Sequence, residues 1–307
     1  METRSFQKDL PKLFMHLRSQ PIESVLFLCA SFSVVILLLM LLFVVMEGSL
    51  AFTRLGTQLI LGQVWKTNSD LYGGFPLIYA SLMVVSGALL ISIPLGICTS
   101  IFIAEILPFQ LRDPIKSVIE LLASIPSVIY GFVGVTFLAP LIASIFGLQS
   151  GATALTASLI LAIMVLPTIV GVSGETISAV PSEYKEAALA LGASKWQTIR
   201  NVTLPLSKSG MLASVMLGFG RAIGETVAVL MVAGNVATVP TPPWNYLAPV
   251  YPVTAVIAMQ MGEAAVGSLE YSALFGLGLI LFIITFAVNT IADVIVRRRP
   301  VGRSVQL

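Results

Sequence analysis

The residues best suited to chemistry in this sequence are two charged side chains inside an apolar stretch. Arg221 and Glu225 stand four positions apart between Met211 and Ala233, where no other charge occurs, and Thr226 follows them directly. An arginine at mid-membrane costs about 3 kcal/mol on insertion scales, so it needs a partner or a purpose. Its guanidinium is a planar fork of donors that matches oxyanions such as phosphate. These three residues are therefore a candidate lining for an anion pathway.

The same pair has a second interpretation. Arg221 and Glu225 would share one helix face at this spacing, so an internal ion pair that locks helix packing fits as well. Gly220 and Gly224 would let a neighbouring helix approach closely. In the pathway interpretation, Glu225 holds Arg221 between transport events and accepts a hydrogen bond from a protonated oxyanion. Phosphate carries such a proton near neutral pH and sulfate does not, which favours phosphate. Both interpretations stay open at this point.

The composition indicates an integral membrane protein. Apolar residues make up 57% of the 307 residues and charged residues 10%, against roughly 25% charged in soluble domains. These values exclude a soluble globule and a disordered chain. A net charge of +2 does not indicate a nucleic-acid partner. With one histidine and two cysteines in apolar runs, we expect no metal site and no enzyme activity.

Six apolar stretches are long enough to cross a bilayer, which takes about 20 helical residues each. The sequence therefore predicts an all-α membrane protein with spans at about residues 25–46, 77–103, 118–146, 152–177, 211–233 and 271–296. We expect the first span, residues 25–46, to be a retained helix, because its apolar run is too long for a signal peptide.

The distribution of Lys and Arg predicts the orientation. Fourteen of these 17 residues fall in the two tails and in the loops after the second and fourth spans, whereas the alternate loops hold only Arg54 and Lys66. The positive-inside rule then places residues 1–24 and the basic tail 297–307 in the cytoplasm. Glu105, Glu120 and Glu175 lie near cytoplasmic ends of spans, where we expect solvated carboxylates.

The outside loop from Gly234 to Glu270 begins with several prolines and contains no Lys or Arg. Its segment Val253–Ala265 is moderately apolar and is predicted to lie as a helix on the outer surface. The loop is either a packed cap over the bundle or a docking surface for an external protein.

The cytoplasmic loop at residues 181–205 predicts two short helices. Ser182 is a suitable N-cap and Gly192 a suitable C′ residue, which predicts a first helix of about nine residues. Ser194 can cap the second helix, which Pro205 is expected to limit. Two such helices form either a rigid docking protrusion or an interfacial connection between spans.

This loop resembles the EAA loop of ABC-importer permeases. The motif is carried by Glu186, Ala187, Ala188, Gly192, Leu204 and Pro205, with Val202 where the pattern has Ile. The resemblance implies a coupling helix that fits a cleft in a cytoplasmic ATPase. No G-x₄-G-K-[ST] phosphate loop occurs in the chain, so a separate ATPase would use the ATP and Mg, and this chain would hold no cofactor or metal.

The run from Arg221 to Thr226 resembles the R-A-x-G-E-T signature of phosphate-importer permeases. Segments at residues 93–96, 122–131, 234–235 and 285–289 resemble them too, so the likeness spans about residues 70–296. It implies a type I ABC-importer permease core with five spans at 70–296, in a prokaryotic plasma membrane. The implied partners are a second, paralogous permease subunit, an ATPase dimer and an external phosphate-binding protein.

Three alternatives differ from this reading. The first is a permease of the same fold for another oxyanion or small solute, against which only the Arg221 segment argues. The second is that the chain is the paralogous subunit of the permease pair in the same importer. Residues 125–131 argue against it, because their sequence resembles the other member of the pair more closely. The third is a secondary transporter without an ATPase, and the loop from Glu186 to Pro205 argues against it.

Overall fold

The computed structural model describes residues 21–297, so most of the two predicted tails lies outside it. Six helical stretches in this part are long and apolar enough to cross a membrane: Ser24–Leu55, Phe75–Ile106, Ser127–Phe146, Ala154–Ser178, Lys195–Gly224 and Leu269–Val294. A single hairpin, formed by β1 (Trp65–Lys66) and β2 (Leu71–Tyr72), is the sheet in these residues. The prediction of an all-α protein with six spans is confirmed.

The α-helices are numbered along the chain. They are α1 (Pro21–Leu55), α2 (Gln58–Leu61), α3 (Phe75–Ile101), α4 (Phe109–Ser124), α5 (Ser127–Val133), α6 (Ala139–Phe146), α7 (Ala154–Ser178), α8 (Ser182–Ala190), α9 (Lys195–Thr198), α10 (Leu204–Gly224), α11 (Val227–Val232), α12 (Val253–Gln260) and α13 (Leu269–Arg297). Three π-helical segments interrupt them. Phe102–Ile106 continues α3, Gly134–Leu138 joins α5 to α6, and Ile199–Thr203 joins α9 to α10.

Helix α7 is the centre of the bundle, packed between α3 and α10. Both neighbours approach it through glycines. A Cβ at Gly96 of α3 would lie 2.7 Å from Ile169 Cγ2, and one at Gly218 of α10 would lie 2.9 Å from Val165 Cγ1. Small residues allow such close backbone approach between membrane helices. This packing sets the position of α10, the helix that carries Arg221.

Helix α1 packs mainly against α13 and exposes most of its apolar side chains. Two hydrogen bonds hold the pair together. The Ser272 hydroxyl donates to the Glu47 carbonyl at 2.6 Å and accepts from the Ala51 N–H at 2.9 Å. Apolar side chains on a span of this length are suited to contact with lipid.

The third span begins later than predicted. The sequence predicts a start at Val118, but the span begins at Ser127. Ile125 is extended, with ψ of 128°, and separates α4 from α5. The ring of Pro126 disfavours helical backbone at the residue before it, which accounts for the break. Helix α4 is amphipathic, has no buried residue, and carries Arg112 and Lys116.

The fifth span also differs from its prediction. Pro205 does not limit a helix, because α9, the π-helical segment and α10 form one continuous stretch from Lys195 to Gly224. Pro205 lies in the first turn after the π-helical segment, where its missing N–H is tolerated. The stretch ends at Glu225, whose ψ of 130° is extended, and α11 follows the break.

The segment between the fifth and sixth spans is packed onto the bundle. Backbone N–H groups of Ala154 and Leu155 donate to the carbonyls of Ala248 and Tyr246 at 3.0 and 2.8 Å. Helix α12 is shorter than predicted. It buries Val253 and Val256 and exposes Ala258 and Met259, so it is a surface helix with one face packed on the bundle. The contacts support the packed cap. Trp244 remains exposed over 75% of its area, so an external docking role stays a prediction.

Candidate translocation and coupling sites

Arg221 lies in the last turn of α10, half-buried beside α7. Its Nη1 donates to Thr168 Oγ1 at 3.1 Å. The neighbouring glycines leave this part of α10 open, because a Cβ added at Gly220 or Gly224 would meet nothing within 4 Å. A guanidinium has five N–H donors. One of them donates to Thr168, which leaves four donors for an anion.

Glu225 does not share a helix face with Arg221, so that expectation is wrong. The chain leaves the helix at Gly224, and Glu225 stands in the break. Its Oε1 accepts the N–H of Ala228 at 3.1 Å, which is one of the first N–H groups of α11 without a helical partner. Its negative charge suits the positive end of a helix. No ion pair joins Arg221 to Glu225 in the described residues.

The break at Glu225 is tied to the cap segment. The Thr254 hydroxyl donates to the Glu225 carbonyl at 2.8 Å, and the Val253 N–H donates to Ser81 Oγ at 2.8 Å. Thr226 is the third predicted pathway residue. Its hydroxyl donates to the Gly224 carbonyl at 3.2 Å. Arg221, Glu225 and Thr226 therefore lie around one helix break, but each contacts a different partner.

Thr168 is a residue that the sequence reasoning missed. It lines a cavity of about 130 Å³ between the end of α3, α4 and α7. The polar lining also includes Ser100, Lys116, Glu120 and Glu175. This cavity lies on the side of Thr168 toward the predicted cytoplasmic end. The only sign of Thr168 in the sequence was its place directly after Pro167 inside a span. That position did not indicate that Thr168 would contact Arg221.

The first short helix predicted in the loop at residues 181–205 is present as α8 (Ser182–Ala190), whereas its coupling role stays a prediction. It ends as expected at Gly192, whose φ of +83° favours glycine. The N–H groups of Gly192 and Ala193 donate to the carbonyls of Leu189 and Ala188 at 2.9 and 3.1 Å, which is the Schellman arrangement. The N-cap residue is Pro181 and not Ser182 as predicted, so the helix begins at Ser182, one residue earlier.

The second half of the loop is closed by Ser194. Its hydroxyl accepts the N–H of Gln197 at 3.3 Å, and Gln197 Oε1 accepts the N–H of Ser194 at 2.7 Å. This is a capping box at the start of α9. Glu186, Ala187 and Gly192 are exposed and Ala188 is half-buried, whereas Leu204 and Pro205 begin α10.

Exposed apolar side chains lie on α8 and directly after it. Tyr184, Leu191 and Trp196 expose 57%, 90% and 60% of their area. Aromatic and aliphatic side chains grouped on a rigid surface loop are typical of a protein–protein contact. The geometry therefore fits a docking protrusion better than a simple connection between spans.

Solved structures of two transporters share this architecture. A bacterial alginate ABC transporter in complex with an alginate-bound periplasmic protein aligns over 92% of this chain and 97% of its own, with a TM-score of 0.63 and 17% identity. The MetNI methionine ABC transporter aligns over 74% and 95%, with a TM-score of 0.55 and 17% identity. The fold is that of an ABC-importer permease.

Sequence comparison defines the family. Residues 92–299 match the model of the binding-protein-dependent transport system inner membrane component. A phosphate transport system permease protein PstC from Mesorhizobium japonicum is 38% identical over 267 residues, which cover 81% of this chain and 80% of that protein. The PstC of Haemophilus influenzae is 34% identical, covering 80% and 82%. The chain belongs to the family of binding-protein-dependent transport system inner membrane components, and it is a multi-pass membrane protein.

Proposed function

We propose that this chain is the transmembrane permease subunit of an ATP-driven phosphate importer. The observation that carries the proposal is the half-buried Arg221, held by Thr168 beside an open helix break. Relatives that cover about four fifths of the chain are phosphate transport system permease proteins, which supports phosphate as the solute. The chain forms half of the translocation pathway, and a second permease subunit forms the other half.

Arg221, Glu225 and Thr226 form the substrate pathway in this proposal. The guanidinium binds two phosphate oxygens through its planar fork. The Glu225 carboxylate accepts a hydrogen bond that the P–OH group of HPO₄²⁻ or H₂PO₄⁻ donates, a contact that sulfate does not offer near neutral pH. The Thr226 hydroxyl, which donates its proton to the Gly224 carbonyl, adds a second acceptor for the protonated oxygen at the break. The anion then passes Thr168 and leaves through the cavity lined by Lys116.

Transport is driven by a partner, because this chain has no ATPase of its own. An ATPase dimer of the PstB kind binds the α8 loop through Glu186, Ala187, Ala188 and Gly192, and uses ATP and Mg. Leu204 and Pro205 carry the movement into α10, which begins there and has Arg221 in its last turn. Closure of the ATPase dimer thereby moves the helix break that surrounds the anion.

The complete importer contains this chain, a PstA-like permease, the ATPase dimer and a PstS-like binding protein outside. It lies in the plasma membrane of a prokaryote, with both tails in the cytoplasm as the distribution of Lys and Arg predicts. Exposed apolar side chains of α5 and of the π-helical segment after it, such as Phe132 and Phe137, supply surface for the second permease.

Radiolabelled phosphate uptake tests the proposal. Uptake is measured at limiting phosphate in cells that lack this chain and in the same cells with the chain restored. We expect uptake to fall on deletion and to return on restoration. Sulfate and amino-acid uptake are measured in parallel. Unchanged phosphate uptake together with loss of another solute would overturn the substrate assignment and leave the permease fold intact.

A further inference from the structure

An ion pair links the coupling helix to the second span. Lys185 Nζ in α8 lies 2.7 Å from Glu105 Oε1 in the π-helical segment Phe102–Ile106, 80 residues away in sequence. The two side chains are only 22% and 11% exposed. The expectation that Glu105 is a solvated helix-end carboxylate is therefore wrong.

This contact matters because α8 has little else to hold it. No residue of α8 is buried. The helix packs against α9 and the π-helical segment that follows it, which are its own continuation in sequence. The Lys185 side chain instead reaches a different span. A short, shielded ion pair restrains two elements far more than an exposed one, because water and salt screen it less.

The segment that receives Lys185 also forms a wall of the cavity. Ile103 belongs to the same π-helical segment as Glu105, and Ser100 lies just before it on α3. Both line the cavity whose far wall includes Thr168, the partner of Arg221. π-helical segments are frequent at functional sites, where they give a helix local freedom to shift. The Lys185–Glu105 ion pair thus holds one wall of this cavity, and the Arg221–Thr168 hydrogen bond lies at another wall.

We propose that Lys185 and Glu105 are positioning residues that transmit movement of the coupling helix to the cytoplasmic part of the pathway. The pair makes the end of the second span follow α8, so that the cavity below Thr168 changes shape with the ATPase cycle. This role rests on the proposed function. It adds a route through the second span to the direct one through Leu204 and α10.

Charge reversal of both partners tests the proposal. The complete importer is reconstituted in lipid vesicles, and phosphate accumulated per ATP hydrolysed is measured for Lys185→Glu, Glu105→Lys and the double reversal. Each single variant places two like charges together, and we expect the coupling ratio to fall by about tenfold while basal ATP hydrolysis persists. The double variant restores the pair with opposite polarity, and we expect a ratio within about threefold of the wild type.

Controls separate this role from folding and from surface charge. Asp113→Lys reverses an exposed charge on the nearby α4 and should leave the ratio unchanged. If a single reversal prevents assembly, Lys185→Gln with Glu105→Gln keeps a neutral hydrogen bond without the charges, and the ratio should still fall by about threefold.

Three results would overturn the inference. They are wild-type coupling in both single reversals, a double reversal as poor as the worse single variant, or wild-type coupling in the double glutamine variant. Vesicles with the wild-type chain that accumulate no phosphate would instead contradict the proposed function itself. The two failures are therefore distinguishable within one experiment.

Discussion

Replacement of Arg221 by glutamine removes the proposed anion contact and keeps a polar, uncharged side chain at the position. Glutamine ends two atoms short of the guanidinium nitrogens, so the hydrogen bond that Arg221 Nη1 donates to Thr168 at 3.1 Å is also lost. The change removes the positive charge and the fork of donors. We therefore expect the importer to assemble normally and to lose phosphate uptake.

The size of the loss follows from the contacts that the fork provides. Two charge-assisted hydrogen bonds contribute about 1.5 kcal/mol each, or about 3 kcal/mol together. A difference of about 1.4 kcal/mol is tenfold, so uptake at limiting phosphate should fall by about 100-fold. Arg221→Lys keeps the charge without the planar fork, and its uptake should be intermediate.

The assay is initial uptake of radiolabelled phosphate, with the amount of assembled complex measured on the same membranes. Arg54→Gln removes an exposed arginine near the end of α1 and serves as the matched control. Its uptake should equal the wild type. Wild-type uptake by Arg221→Gln, at equal assembly, would refute a pathway role for the guanidinium.

Three further experiments test other parts of the account. Gly192→Trp or Glu186→Lys should abolish substrate-stimulated ATP hydrolysis by the complex, since one strains the φ of +83° that ends α8 and the other reverses a charge of the coupling motif; full stimulation would contradict the coupling assignment. Glu225→Ala removes the acceptor of the Ala228 N–H and should lower the free energy of unfolding by about 1 kcal/mol, measured by denaturant titration in detergent, with Glu225→Gln close to the wild type. Gly96→Val should lower that free energy by about 1–3 kcal/mol, because its Cβ would meet Ile169 at 2.7 Å. Gly171→Ala on α7 meets nothing within 4 Å and should raise it by about 0.5 kcal/mol, because glycine inside a helix loses more backbone entropy than alanine.

The length of the apolar stretches and local capping signals made much of the fold predictable. The six spans follow from apolar length alone. The end of α8 follows from a local signal, because Gly192 adopts the positive φ that terminates a helix. The break at Ile125 was readable from Pro126. It was missed because the apolar pattern continues across the proline.

The site geometry depends on contacts between distant residues. The end of α10 at Glu225 is stabilised by Ala228 and by Thr254, and the second of these comes from the cap segment. Thr168 is 53 residues from Arg221 on another helix. No local rule relates such positions, so composition and spacing identified the charged residues but not their partners.

ATP-dependent phosphate accumulation by the reconstituted importer is the most direct test of the central claim. Lipid vesicles would contain this chain, the second permease and the ATPase dimer, with the phosphate-binding protein on one side and ATP with Mg on the other. We predict that labelled phosphate accumulates only when every component and ATP are present, and that labelled sulfate does not. Accumulation of sulfate or an amino acid in place of phosphate, or phosphate entry without ATP, would contradict the account.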